Sequence, residues 1–158
     1  MTRLYGWGEK FARVDEYVPD VRFERTSIIA TLCKDGFNVP MTFKGTLNKD
    51  VFEPYIKHFL APTLNPGDIV VMDNCSVHRA KDILNPIYER GATVLFLPPY
   101  SPDLNPIELA WSKMKSVLRM LKARTIDEMS EALIVSLDSI TKLDIANWFR
   151  HDGYCVNV

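Results

Sequence analysis

The sequence predicts an α/β protein. Two short apolar runs, residues 69–72 and 93–97, are flanked by turn residues, as buried strands are, and a helical pattern lies between them. Two amphipathic helical patterns follow. With 158 residues, of which 47% are hydrophobic and 25% charged, the chain has the composition of an ordinary globular protein. We therefore expect a single domain over residues 1–158.

The overall composition bounds the class of protein. No apolar run approaches the roughly 20 residues that a membrane helix needs, and no signal-peptide pattern opens the chain, so we expect no membrane partner. Three scattered cysteines favour a reducing, cytoplasmic compartment. A net charge of −1 does not by itself indicate nucleic-acid binding, so any surface that binds DNA must be local.

The first elements are predicted to be a β-hairpin and a helix. Residues 25–33 and 39–44 are rich in β-branched or alternating apolar residues, and turn residues separate the two segments. Asp50 and Glu53 form a capping-box pattern. The apolar residues that follow keep a helical period, which predicts a helix over residues 51–60.

A parallel βαβ unit is expected next. Residues 69–72 and 93–97 are uninterrupted apolar runs, which favour strands buried on both faces. Residues 79–90 are predicted to be helical up to Gly91, although Pro86 weakens that pattern. The order strand, helix, strand indicates parallel pairing.

A proline-rich stretch, residues 97–108 (LPPYSPDLNPIE), follows the second of these strands. It contains four of the chain's ten prolines. Proline fixes φ and pushes the preceding residue out of the helical region, so most of the stretch should be stiff and extended. Asn105, Pro106 and Glu108 suit the N-cap, N1 and N3 positions of a helix that begins there.

Two amphipathic helices are predicted after the proline-rich stretch. Apolar residues of the first advance by four, three, four and three positions, which makes one stripe. Thr125 and Glu128 form a capping-box pattern at the start of the second helix, and a short segment with Trp148 and Phe149 closes the domain. The first stripe consists of Ile107, Trp111, Met114, Leu118 and Leu121, and the second of Ile126, Met129, Leu133, Leu137 and Ile140.

Two carboxylates are candidates for chemistry. Asp73 follows residues 69–72 directly, so it lies at the carboxyl end of a predicted parallel strand, where α/β sheets bind ligands. The other parallel strand ends beside the proline-rich stretch, which can bring Glu108 to the same edge. Two carboxylates held close together repel each other unless a cation compensates, and oxygen ligands suit Mg²⁺ or Mn²⁺. Such a site favours metal-assisted phosphoryl transfer.

Each candidate also has a purely structural interpretation. Asp73 and Asn74 suit a turn after a strand, and Glu108 suits the N3 position of a capping box. Cys75 and His78 form a C-x-x-H pattern, but the sequence offers no second ligand pair, which disfavours a zinc site.

A polar stripe runs beside the apolar stripe of the first long helix. No acidic residue interrupts it between Leu109 and Ile126, so it forms a basic track leading away from Glu108, as binding of a phosphate backbone requires. A solvated helix face explains such charges equally well. The stripe consists of Glu108, Ser112, Lys115, Arg119 and Lys122.

Two long motifs, MDNCSVH (72–78) and LPPYSPDLNPIELAW (97–111), resemble the DDE-type catalytic domain of mariner-like insertion-sequence transposases. The 34 residues (74–107) between Asp73 and Glu108 match the separation typical of that superfamily. Further landmarks are RLYGW (3–7), PGDIVVMDN (66–74) and HDGY (151–154), so the resemblance covers essentially the whole chain.

The resemblance implies an RNase H-like fold, a mixed sheet flanked by helices, in which three acidic residues bind two Mg²⁺ (or Mn²⁺) ions. It implies cleavage of the element's DNA ends and their transfer to target DNA, usually by a homo-oligomer. Asp73 and Glu108 match the second and third acids of the family. Asn74 and His78 match positions near its active site, without a defined role for His78.

The family's first acid is not matched. In relatives it ends the first, central strand, a short way before the RLYGW-like segment, and a helix-turn-helix region precedes it. Asp15 and Glu16 follow that segment and are poor substitutes. We therefore expect a truncated domain without the first strand and without the helix-turn-helix region. Alone it should cleave DNA poorly, with a companion amino-terminal fragment or full-length transposase as partner.

Other interpretations of such a fragment remain. One alternative is a non-catalytic fragment that binds DNA or transposase and inhibits transposition. Another is a non-functional remnant. DNA binding would then involve Lys115, Arg119 and Lys122. The expected location is the cytoplasm, associated with the nucleoid.

Overall fold

A computed structural model describes residues 7–10, 25–79, 81–123 and 125–155. The strands are β1 (Thr26–Cys33), β2 (Gly36–Lys44), β3 (Ile69–Met72) and β4 (Thr93–Phe96). The helices are α1 (Lys49–Tyr55), α2 (Lys81–Glu89), α3 (Pro106–Leu121), α4 (Ile126–Asp138) and α5 (Lys142–His151). A π-helical turn (Ile56–Leu60) and a 3₁₀ turn (Ala61–Thr63) extend α1, and a 3₁₀ turn (Pro102–Leu104) precedes α3.

The predicted β-hairpin is confirmed. β1 and β2 pair antiparallel from Thr26 opposite Lys44 to the turn, and a bulge interrupts the register between Ile29 and Thr31. Gly36 at the turn has a φ of 144°, a backbone conformation that residues other than glycine rarely adopt. The turn residues and the β-branched runs of the sequence thus specify the hairpin.

The helix after the hairpin forms as expected, but its predicted cap is wrong. Asn48, not Asp50, is the N-cap residue. Its backbone is extended, and its side-chain oxygen accepts a hydrogen bond from Val51 N at 3.0 Å. Asp50 lies inside the first turn of α1. The buried face of α1 and the turn after it contributes Phe52, Tyr55, Ile56 and Leu60 to the larger core.

The predicted parallel βαβ unit is confirmed. β3 and β4 pair in parallel from Ile69 opposite Thr93 to Met72 opposite Phe96, and α2 connects them. Close packing fixes the other end of the unit: at Gly91 (φ 74°), an added Cβ would lie 3.2 Å from the Cβ of Pro66. A side chain at that position would therefore crowd Pro66 and strain the backbone.

The prediction that both faces of this sheet are buried is wrong. Val70 and Met72 are buried in the larger core, on which Ile83, Leu84 and Ile87 of α2 also converge. Ile69 and Leu95 are 64% and 53% exposed. The described strands form two separate two-stranded sheets, and the larger core covers the β3–β4 sheet on one face only.

A second, smaller core lies between α3 and α4. Met114, Leu118 and Ala132 are buried there, and Trp111 packs against them. The ring of Phe37 in β2 lies 5.0 Å from that of Trp111, which joins the hairpin to α3. The predicted stripe is thus confirmed in its centre, whereas Leu121 at its end is exposed.

Capping boxes begin both carboxyl-terminal helices. The predicted pair is confirmed: Thr125 Oγ1 accepts from Glu128 N, and Thr125 N donates to the Glu128 carboxylate, each at 3.1 Å. An equivalent pair of Thr141 and Asp144, not predicted, begins α5. None of the helices in the described ranges has the length and apolarity needed to cross a membrane.

Candidate functional site

The loops that follow β3 and β4 meet at one edge of the parallel sheet. Leu97 N donates to Met72 O at 2.9 Å, so Asp73 and Pro98 leave the sheet side by side. A cavity of about 390 Å³ opens at this edge, and Asp73, Asn74 and Glu108 all contribute to its lining. Two loops from successive parallel strands thus bring both candidate carboxylates to a single cavity.

Local contacts hold Asp73 in place. Its side chain is 62% exposed, and its Oδ1 lies 2.6 Å from Nδ1 of His78. The same oxygen accepts a hydrogen bond from Cys75 N at 3.3 Å. The turn interpretation of Asp73 is therefore correct in part: the residue closes a turn and also lines the cavity.

His78 lies between Asp73 and the larger core and contacts both. Its side chain is only 16% exposed, and its ring lies 4.6 Å from the ring of Phe52 in the larger core. His78 Nδ1 also lies 3.3 Å from the carbonyl oxygen of Asp73. The imidazole is thus fixed between the core and the carboxylate, a contact that the sequence motif did not define.

Cys75 lies on the same turn. Burial, and then the neighbouring Asp73 carboxylate, raise the pKa of its thiol, while hydrogen bonds from the backbone at His78 and Val77 oppose that rise. The net effect keeps the thiol protonated at neutral pH.

Glu108 reaches the cavity from the first turn of α3. Asn105 occupies the N-cap position as predicted, but its side chain makes no capping bond. Its backbone N–H donates to Pro102 O at 3.1 Å, so Glu108 has no capping-box partner there. The capping interpretation of Glu108 is therefore wrong. The carboxylate faces solvent at a helix amino terminus, which favours negative charge.

The carboxyl-terminal landmark HDGY anchors the loop that carries Glu108. The hydroxyl of Tyr154 donates to Leu104 O at 2.7 Å, and its ring packs on Phe149 with centroids 5.7 Å apart. Burial, reinforced by the charge of Asp152, raises the pKa of the Tyr154 phenol, so it remains a donor at physiological pH. A residue 50 positions away in sequence thus positions the 3₁₀ turn before α3.

Two residues in the cavity lining were not singled out from the sequence. Arg79 follows the MDNCSVH motif directly, and its Nε donates to Asn74 O at 3.1 Å. Tyr100 is fully exposed and has a φ of 60°, an uncommon conformation for an aromatic residue. A basic residue next to a carboxylate motif was the available signal for Arg79. No sequence pattern indicated the backbone conformation of Tyr100.

The basic residues of the polar stripe do not line the cavity. Lys115 and Arg119 are exposed on α3, and Lys122, also exposed, ends the helix in the left-handed conformation (φ 53°). Lys113, outside the stripe, instead bonds Asp144 of α5 at 2.6 Å. Both interpretations of the stripe, a DNA track and a solvated face, are compatible with this exposure.

Some sequence landmarks fall outside the described residues. These are residues 3–6 of the RLYGW segment and the pair Asp15 and Glu16. Among the described residues, Asp73 and Glu108 are the two acids that line the cavity.

Comparisons with known proteins agree with this architecture. The chain is 27% identical over 100 residues to the transposable element Tcb1 transposase of Caenorhabditis briggsae, an alignment that covers 61% of this chain and 37% of that protein. It superimposes on the Mos1 strand transfer complex with a TM-score of 0.69 at 17% identity, covering 99% of this chain and 51% of the Mos1 chain. The chain therefore spans about half, or less, of the length of these relatives.

The structural likeness identifies the fold as RNase H-like, in agreement with the α/β class predicted from the sequence. Residues 1–130 match the sequence profile described as DDE superfamily endonuclease, which is more than half of the chain. The two loops that carry Asp73 and Glu108 lie within the matched residues. The chain belongs to the DDE superfamily endonucleases, as a mariner-like DDE domain.

Proposed function

We propose that this chain is the catalytic-domain part of a DNA transposase, in which Asp73 and Glu108 hold Mg²⁺ or Mn²⁺ for DNA strand cleavage and strand transfer. The observation that carries the proposal is the single cavity at the carboxyl edge of β3 and β4, which both carboxylates line. Ligands bind at this edge in α/β sheets generally. The name of the Tcb1 relative, a transposase, supports the same assignment.

The donor set fits a hard divalent cation. Asp73 and Glu108 offer carboxylate oxygens, and both side chains are exposed to the open cavity. Mg²⁺ retains several waters and takes few protein ligands, so two carboxylates in a roomy cavity suit it. When bound, such ions activate an attacking oxygen and stabilise the leaving oxygen of a phosphodiester.

The protein's own residues then orient the reactants. His78 fixes the carboxylate of Asp73 through the 2.6 Å contact, and the bond from Tyr154 to Leu104 holds the loop that leads to Glu108. Arg79 lines the same cavity, and its guanidinium suits a phosphate oxygen of the DNA. The side chains thus supply position and charge, the two needs of phosphoryl transfer.

The number of acids that line the cavity bears on the expected activity. The family resemblance implies three acids, whereas two line the cavity in the described part of the chain. We therefore infer that the isolated chain cleaves DNA poorly, and that a partner, either a companion fragment or full-length transposase, supplies the remaining carboxylate. Robust Mg²⁺-dependent cleavage of DNA by purified residues 1–158, abolished by Asp73→Ala, would contradict this inference.

Metal binding tests the site independently of cleavage. Mn²⁺ binding to the chain, followed by electron paramagnetic resonance, should weaken at least about tenfold in Asp73→Asn and in Glu108→Gln, because each removes a charged ligand. Asp103→Asn is the matched control, since Asp103 is an exposed acid of the same loop that does not line the cavity. Equal Mn²⁺ affinity in all three variants would refute the two-carboxylate site.

A second candidate function is non-catalytic binding of DNA. The observation that favours it is the exposed basic surface of Lys115, Arg119 and Lys122, which lies outside the cavity lining. Charge reversal at these three positions should lower DNA affinity and reduce its salt dependence, because fewer counterions are released. Reversal at Lys57, an exposed lysine near α1, is the control. If the triple reversal leaves DNA affinity unchanged, the stripe is only a solvated face.

A further inference from the structure

The turn after β3 brings together three donors of different chemistry. Asp73, Cys75 and His78 each offer one ligand atom, and these atoms all lie within 4.8 Å of one another. The sequence showed only a C-x-x-H pattern without a second pair of ligands. The structure adds Asp73, two residues before Cys75, as the third donor.

We propose that this cluster is a second metal site, which binds Zn²⁺ or a similar transition-metal ion through the Asp73 carboxylate, the Cys75 thiolate and the His78 imidazole. Binding displaces the proton of the Cys75 thiol, which is released to solvent. Three protein ligands with an open fourth position are a common zinc arrangement. Thiolate and imidazole donors favour zinc, whereas Mg²⁺ prefers oxygen. Zinc should therefore prefer the cluster, and Mg²⁺ should prefer the pair of carboxylates. The two sites share Asp73.

The distances permit coordination with small adjustments. A tetrahedral zinc ion with bonds of about 2.0–2.3 Å holds its donors roughly 3.3–3.6 Å apart. The contact of 2.6 Å between Asp73 Oδ1 and His78 Nδ1 would open by less than about 1 Å. The remaining separations, at most 4.8 Å, would close by up to about 1.5 Å.

The turn itself is already organised for such a site. Cys75 N donates to Asp73 Oδ1 at 3.3 Å, and His78 N donates to Cys75 O at 3.1 Å. Phe52 packs against the ring of His78 and limits its rotation. Binding would order few additional groups, which keeps its entropic cost low.

Shared use of Asp73 makes the two metals competitors. A zinc ion on the cluster would engage the carboxylate that the proposed catalytic site requires for Mg²⁺ or Mn²⁺. Zinc should therefore displace Mn²⁺ from the wild-type protein. This consequence rests on the proposed function, whereas zinc binding by the cluster does not.

Cobalt substitution tests the cluster directly. Co²⁺ added to the full chain should produce a cobalt–thiolate charge-transfer band and the visible bands of tetrahedral coordination. Cys75→Ser should abolish the thiolate band and weaken Zn²⁺ binding at least about tenfold. Cys33→Ser, which removes another exposed cysteine, should change neither. Absence of the band, or its persistence in Cys75→Ser, would overturn the proposal.

A measurement on the unmodified protein covers the case in which Cys75→Ser does not fold. Zn²⁺ should slow alkylation of Cys75 by iodoacetamide, read by peptide mass spectrometry, while the exposed Cys33 and Cys155 serve as internal controls. Equal alkylation of all three with and without Zn²⁺ would contradict the site.

Glu108→Gln separates the two proposals. Glu108 is not among the three donors, so this variant should lose Mn²⁺ binding and keep the cobalt–thiolate band. If the band appears but Zn²⁺ does not displace Mn²⁺ from the wild-type protein, the cluster binds a transition metal as proposed. The claim that Asp73 serves both metals is then refuted.

Discussion

Asp73 and Glu108 reach the same cavity by different means. Asp73 is held by two neighbours in sequence, His78 at 2.6 Å and Cys75 N at 3.3 Å, and the ring of Phe52 from α1 packs on His78. Glu108 is positioned by the backbone of a proline-rich loop, which Tyr154 anchors from the far end of the chain. One carboxylate is fixed through its side chain, and the other through the loop that carries it.

The difference determines how each half of the site should fail. Damage to the core beneath His78 should displace Asp73 and leave the Glu108 loop in place. Damage to the carboxyl-terminal anchor should loosen the Glu108 loop and leave Asp73 in place. Mutations that act on only one half therefore test the comparison.

The largest effect is expected from Phe52→Ala. Phe52 is buried, so its truncation should lower the free energy of unfolding by about 3–5 kcal/mol. It should also free the ring of His78, which then no longer holds the Asp73 carboxylate in place. The affinity for Mn²⁺ should therefore fall. Urea unfolding and Mn²⁺ titration measure the two effects.

Leu60→Ala is the matched control for this prediction. Leu60 is equally buried in the same core, so its truncation should cost about 2–5 kcal/mol. The ring that packs on His78 is that of Phe52, so Leu60→Ala leaves this ring contact in place. If both variants reduce Mn²⁺ affinity equally while folded, the support of Asp73 by Phe52 is not specific.

Tyr154→Phe should have an intermediate effect. It removes one hydrogen bond, from the phenol to Leu104 O, and should lower the free energy of unfolding by about 0.5–1.5 kcal/mol. Amide hydrogen exchange should increase around residues 102–108 and not around residues 73–78. Tyr88→Phe, at an exposed tyrosine of α2, is the control. Increased exchange in both regions would mean that the two halves are coupled.

The smallest effect concerns the contact between α3 and α5. Hydrogen bonds from Lys113 and then Thr141 lower the pKa of Asp144 from 3.8 to about 2. A carboxyl group with a lowered pKa stabilises the folded state above its unfolded pKa, and that stability is lost as the pH falls from 3.8 towards about 2.

Both side chains of this pair are about one-third exposed, so the contribution should be below about 1 kcal/mol. Urea unfolding between about pH 5 and about pH 2 should show a smaller acid loss of stability in Asp144→Asn than in the wild type. Asp35→Asn removes the exposed partner of Lys142 and serves as the control. An unchanged pH profile in Asp144→Asn would exclude the Lys113 contact as a stabilising one.

Periodicity and turn chemistry predicted most of the elements, but they did not predict that the terminal segment forms the helix α5. The β-hairpin, the parallel strands, the stripe around Met114 and the capping box at Thr125 follow from local patterns, and the structure has them all. The local pattern failed at the N-cap of α1. Asn48 takes the cap position predicted for Asp50 because its backbone is the extended one.

Burial was harder to predict than element type. Ile69 and Leu95 belong to apolar runs that suited a sheet covered on both faces, but they are exposed. A run of apolar residues reports what a strand tolerates, whereas burial depends on which elements pack against it. No pattern within four residues can report that.

The candidate site was predictable in part. Motif resemblance selected Asp73, Asn74 and Glu108, and the structure brings these three to one cavity. The contacts that position them involve partners that local patterns do not select. Tyr154 bonds Leu104 across 50 positions, and Phe52 packs on His78 from another element. Three-dimensional packing alone determines such pairs.

The bond from Tyr154 to Leu104 has a consequence for biosynthesis. During synthesis, residues 97–108 leave the ribosome well before Tyr154 does, so the Glu108 loop lacks its anchor until the carboxyl-terminal residues emerge. A prematurely terminated chain would carry both carboxylates but not the anchored loop. The anchor therefore makes the finished cavity a property of chains completed through residue 154.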